Sequence, residues 1–210
     1  MATGNAPFAE RAVGDAPIAL QLVFSQVPAW LGLMVPTAYA VWKKGNGFVR
    51  DLGLRMTLPD VPLGLVIGVA SQLLLVPAIY WVVFRFTGEQ DVSEVARQIT
   101  DKAVDPFSAV VLFLMVGIGA PVVEEIYFRG LTLRSAERRF GPMWALVGTS
   151  FFFAAIHLSV LVIPGLVVFA LILGWLTQRT GRLGPAIFAH IGFNLVTAAV
   201  LVFNLDLPGT

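Results

Sequence analysis

Two adjacent acids, Glu124 and Glu125, and both histidines, His157 and His190, lie in apolar sequence long enough to cross a bilayer. Arg129 follows the acids, and Asn194 comes one helical turn after His190. Ionisable side chains are costly in hydrocarbon, so such a set is a functional-site hypothesis by default. Together these groups can supply a base, a proton donor and hydrogen-bond donors for one water and one carbonyl. That is the inventory for hydrolysing a peptide bond inside a membrane.

Spacing divides the roles. Successive helical residues point about 100° apart, so Glu124 and Glu125 cannot share a direction. Arg129 is four residues after Glu125, the favoured spacing for an acid–base pair, which leaves Glu124 freer to act elsewhere. Taken alone, such a pair can also be a charge cluster that only locks helices together. Glu124 lies seventeen residues before Gly141 and His157 sixteen after it. An antiparallel helix pair turning at Gly141 therefore brings Glu124 and His157 to similar depth, where they can flank one water. His190 and Asn194 are four apart and share one helix face. A His/Asn pair of donors aimed at one point resembles an oxyanion hole.

The depths do not agree at first count. From the loop at Gly181, His190 is roughly 10–15 Å deep at 1.5 Å per residue. From Met143, His157 is roughly 20 Å deep by the same rise. Helix tilt, or an interfacial start to the helix carrying His157, must remove the mismatch. Glu124, His157 and His190 also make a plausible zinc set. The His-Glu-x-x-His spacing is absent, however, and a metal-free carboxylate/histidine activation of water is the preferred reading.

The elements that must position these residues are membrane helices. The 210-residue chain is 57% hydrophobic and 13% charged, with a mean hydropathy of +0.82. Soluble domains carry about 25% charged residues. The net charge of +1 gives no reason to expect a nucleic-acid partner, and the lack of cysteine excludes disulfides and thiolate metal sites. Six segments approach the length of about 20 apolar residues that a spanning helix needs. They run from about Ile18 to Trp42, Pro62 to Phe84, Phe107 to Phe128, Met143 to Leu161, Val162 to Gln178 and Leu183 to Phe203. Pro164 and Gly165 mark the expected turn between the fourth and fifth. The expectation is an all-α polytopic protein of about six helices around an intramembrane polar site. Residues 1–17 form a polar tail without a cleavable signal, and 18–206 a single transmembrane domain.

Basic residues mark cytoplasmic loops. They are Lys43, Lys44, Arg50 and Arg55, then Arg134, Arg138 and Arg139, then Arg179 and Arg182. Most soluble acids fall on the other side, so both termini are expected away from the cytoplasm. The polar stretch from Thr87 to Asp105, with Val92, Val95 and Ile99 at helical spacing, is either a surface helix or a solvated loop.

Three motifs in order, Glu124-Glu125-x-x-x-Arg129, Phe153-x-x-x-His157 and His190-x-x-x-Asn194, resemble those of the CPBP family. These are the CAAX-protease and bacteriocin-processing (Abi) membrane proteins, which include the type II CAAX prenyl endopeptidases. Ala120-Pro121, Phe128-Arg129-Gly130 and Gly181-Arg182-Leu183-Gly184 share the likeness, and the family-like core covers about residues 107–203. The resemblance implies an intramembrane endopeptidase acting on a membrane-associated protein or peptide. It implies Glu124 and His157 as activators of water, His190 and Asn194 as the oxyanion hole, and Glu125 with Arg129 in support. It also implies a plasma-membrane protein embedded in lipid, compatible with a larger membrane-protein complex. Members are often labelled metalloproteases, which keeps one divalent ion such as zinc as the alternative cofactor. A proton-coupled transporter and a non-catalytic scaffold subunit are the competing functional classes.

Overall fold

The computed structural model describes residues 18–88, 90–91 and 106–203. Every regular element among them is helical. In chain order these are α1 (Ile18–Lys44), the short α2 (Phe48–Leu52), α3 (Asp60–Thr87), α4 (Pro106–Phe140), α5 (Pro142–Ala155), α6 (Ile163–Thr180) and α7 (Gly184–Val202). The helices at Asp60–Thr87, Pro106–Phe140 and Val160–Thr180 are long and apolar enough to span a bilayer, while α5 and α7 are shorter apolar helices. Phe24, Leu31, Val35, Val66, Leu74, Trp81 and Phe86 point outward and exposed, as a lipid-facing surface requires. The protein is an all-α membrane protein.

The fourth predicted segment needs correction. It is not one helix from Met143 to Leu161, because α5 ends at Ala155. Leu158 has φ 54, and a 3-10 turn at Val160–Val162 precedes α6. Pro164 sits in the first turn of α6, where its missing N–H costs nothing, so it opens a helix rather than marking the break. The break itself comes eight residues earlier, at Ile156. His157 therefore lies on a turn beyond the helix end. The possible surface helix at 92–105 falls outside the described residues, as do the tail at 1–17 and residues 204–206.

α4 is about 50 Å long at the ordinary rise, well beyond the roughly 30 Å of hydrocarbon. Two widened π-helical stretches, Phe113–Gly119 and Ile126–Leu133, flank a six-residue α-helical stretch, Ala120–Glu125. Such wide turns recur at functional sites because they leave backbone groups free and rotate the side chains that follow.

α3 and α7 meet backbone to backbone. A Cβ on Gly68 would collide with the carbonyl oxygen of Ala189, and one on Gly64 with Phe188 and the Pro185 backbone. From the opposite side, a Cβ on Gly192 would press on the backbone of Leu65. Small residues permit this approach within a membrane, where packing replaces the hydrophobic drive between helices. At one end of the seam Asp60, fully buried, accepts from Arg182 Nε at 2.9 Å and Nη2 at 2.6 Å. Gly184 leaves the space that Asp60 occupies. That bond holds the Arg182 guanidinium even more firmly protonated than usual. Leu183 N donates to Gly53 O and Gly184 N to Arg55 O, which ties the two loops together.

Candidate active site

Glu125 stands at the centre, on the last α-helical residue before the second wide stretch of α4. It is fully buried, and its Oε1 accepts from Arg129 Nη1 at 2.8 Å and from His190 Nδ1 at 2.8 Å. A carboxylate only accepts, so the imidazole carries its proton on Nδ1 here. Arg129 also donates to Ala170 O on α6 at 3.2 Å, and its guanidinium lies 4.6 Å from the Phe153 ring centre on α5. One charged pair thus touches α4, α5, α6 and α7. Breaking such a pair is costly because the remaining charge has nowhere to go.

His190 is seated between Phe169 and Phe153, with ring centres 5.6 and 5.7 Å away and both rings edge-on. Its Nε2 faces Glu124 Oε2 at 3.8 Å. Glu124 is partly exposed and has no hydrogen-bond partner among the described residues. The two adjacent acids therefore do different things: one is consumed by Arg129 and His190, and the other is left unbonded beside the second edge of the same imidazole.

The α6–α7 loop sits against the end of α4 and the start of α5: Arg134 Nη2 donates to Gly181 O and Gln178 Nε2 to Pro142 O, both at 2.8 Å. Glu125 is nine residues before Arg134 on α4, and His190 nine after Gly181 on α7, and their side chains meet.

His157 reaches the right height without joining the cluster. Phe128 and Phe153 pack edge to face at 5.1 Å. They lie four residues after Glu124 and four before His157, so the register sets His157 level with Glu124. Yet His157 is exposed, and its Nδ1 donates to Phe153 O at 2.8 Å. No ion pair or hydrogen bond joins it to Glu124 among the described residues. Its ring lies 4.9 Å from the Phe153 ring, which separates the two imidazoles. The turn carrying His157 is tethered further on, where Tyr80 Oη donates to Leu161 O at 2.7 Å.

Asn194 lies one turn beyond His190 on α7 but donates to Val116 O, in the first wide stretch of α4, at 2.9 Å. In this arrangement Asn194 and His190 do not share a target. Glu124, His157 and His190 are not gathered into one cluster in this arrangement, and no group of three His, Asp or Glu side chains among the described residues is close enough to hold an ion. The sequence gives Phe153 and Arg182 as motif residues without their partners, and Asp60 without any role. Phe153 was visible only as the first letter of a motif, although its spacing places it one turn from His157. Asp60 and Arg182 gave a signal in retrospect, an acid at the head of an apolar span and an arginine between two glycines.

These features define a class: a helical membrane protein with a carboxylate–arginine–histidine cluster buried between four helices. Residues 106–196 match the family model described as type II CAAX prenyl endopeptidase Rce1-like, so this segment is similar to the family that the three motifs resemble. α1 to α3 lie outside the matched segment. No curated protein and no solved structure matches the chain.

Proposed function

We propose that the protein is an intramembrane endopeptidase that cleaves a membrane-associated protein or peptide, with Glu124 as the base. The observation that carries this reading is the contrast between the two acids. Glu125 fixes one edge of His190, and Glu124 stands unbonded across from the other edge at 3.8 Å. That gap suits a bridging water.

Glu124 takes a proton as the water oxygen attacks the substrate carbonyl carbon. His190, oriented by Glu125, donates its Nε2 proton to the oxyanion when it is the imidazolium. Asn194 spends one amide proton on Val116 O and has a second, which reaches the oxyanion only if the side chain turns toward His190 when substrate binds. Glu124 then returns its proton to the leaving amine as the C–N bond breaks. His157 holds its Nδ1 proton on Phe153 O, so its Nε2 is free to assist at the level of Glu124. No step is assigned to a metal.

The basic loops after α1, α4 and α6 are joined by the Arg134–Gly181 and Leu183–Gly53 bonds, so they gather at one end of the bundle. That supports a plasma-membrane orientation with this end in the cytoplasm and both termini opposite. The test is Glu124→Gln in proteoliposomes with membrane-anchored peptide substrates. Cleavage should fall by about 10²–10⁴-fold, the worth of a positioned base, with the unfolding transition unchanged. Full cleavage by a folded variant would refute the assignment.

A further inference from the structure

At the basic end of the bundle lies a cavity of about 230 Å³, separate from the Glu124 cluster. Its polar lining comes from Lys44 at the end of α1, Asn46 in the following turn, Asp51 on α2, and Arg134, Ser135 and Arg138 on α4. Among the described residues none of the three cations forms an ion pair. The one acid is already committed: Asp51 accepts from the backbone N–H groups of Asn46, at 2.5 Å, and Gly47, at 3.0 Å. Arg134 spends Nη2 on Gly181 O, while its Nε is buried without a partner. The cavity therefore combines three positive charges against one negative, a net of two positive, with an unused buried N–H and a serine hydroxyl.

The height of the cavity indicates the occupant. Tyr39 and Trp42 are exposed on α1, five and two residues before Lys44, and Lys43 Nζ lies 5.4 Å from the Trp42 ring centre. Trp144, near the start of α5, is exposed at the same end. Amphipathic aromatic rings beside cations mark the headgroup layer. Basic pockets between helices at that level suit anionic headgroups. We infer that this cavity binds the phosphate headgroup of an anionic phospholipid. Gly130 and Leu131, also in its lining, follow Arg129 directly in sequence. A bound headgroup would therefore bear on the stretch of α4 that carries the buried ion pair.

The test is native mass spectrometry of the intact protein released from nanodiscs of phosphatidylcholine and phosphatidylglycerol. The unmutated protein should retain phosphatidylglycerol preferentially. Lys44→Gln with Arg138→Gln should lower that preference by about 30-fold, the worth of two basic side chains at a membrane surface. Both side chains are exposed, and the unfolding transition should be unmoved. Arg179→Gln, an exposed arginine outside the cavity lining, should leave the preference intact. Equal retention of the two lipids, or an equal loss with Arg179→Gln, overturns the site. Displacement of the lipid by millimolar inorganic phosphate overturns the lipid as its occupant.

Discussion

Arg129→Met isolates the charge at the centre of the fold. Arg129 is 3% exposed and Glu125 fully buried, and the two are bonded at 2.8 Å. Removing the guanidinium strips Oε1 of one donor, while Oε2 already has none. It also frees Ala170 O and uncovers Phe153. Breaking a buried pair from one side costs about 3–5 kcal/mol, most of it the penalty of the stranded charge. Glu125→Gln strands the arginine instead and should cost a similar amount. The double variant strands nothing. Its loss should fall short of the sum of the single losses by about 3 kcal/mol. Reversible unfolding in mixed micelles, followed by the fluorescence of the five tryptophans, measures all three. Additivity within about 0.5 kcal/mol would refute the reasoning, because independent sites behave that way. A cost below about 1 kcal/mol for Arg129→Met would do the same, since that is the range of an exposed pair.

Gly68→Ala should destabilise by about 3 kcal/mol, because its Cβ meets the carbonyl oxygen of Ala189, a backbone atom with no rotamer to change. Gly148→Ala meets nothing within 4 Å and should be neutral or stabilising by up to about 1 kcal/mol, which the same unfolding assay checks. His157→Gln should lower peptide cleavage without moving the unfolding transition, because the side chain is exposed beyond the helix end. His190→Gln should lower both, since it removes a buried bond to Glu125 and an edge-on ring from between Phe153 and Phe169. Comparing cleavage rates with unfolding midpoints separates the two histidines, and equal stability losses would contradict the difference in burial.

The part of the site that rests on local spacing could be read directly from the chain. Glu125 and Arg129 are four apart, and helical geometry alone brings them together. The apolar lengths of α3, α4 and α6 were equally open to counting. What could not be read depended on contacts between distant segments. Nothing in the spacing of His190 and Asn194 says that one turns to Glu125 and the other to Val116, because that depends on how the wide turns of α4 rotate its surface. The end of α5 was hidden for a different reason. Ala155 to Val162 is almost uniformly apolar, so hydropathy runs through a break that only the backbone reveals. The relative depths of His157 and His190 depend on how the α6–α7 loop seats against α4 and α5, through Arg134 and Gln178, which no count along a single helix contains.

The glycine seam between α3 and α7 limits where the molecule can give way. Carbonyl oxygens of one helix nest against α-carbons of the other, so α7 cannot slide along α3 without main-chain atoms colliding. The elevation of His190 is thus set by rigid parts, with no flexible side chain to absorb a shift. His157, by contrast, hangs on a short non-helical turn between two anchored ends. The α3–α7 pair is the rigid wall that fixes His190, while His157 stands on a turn outside any helix.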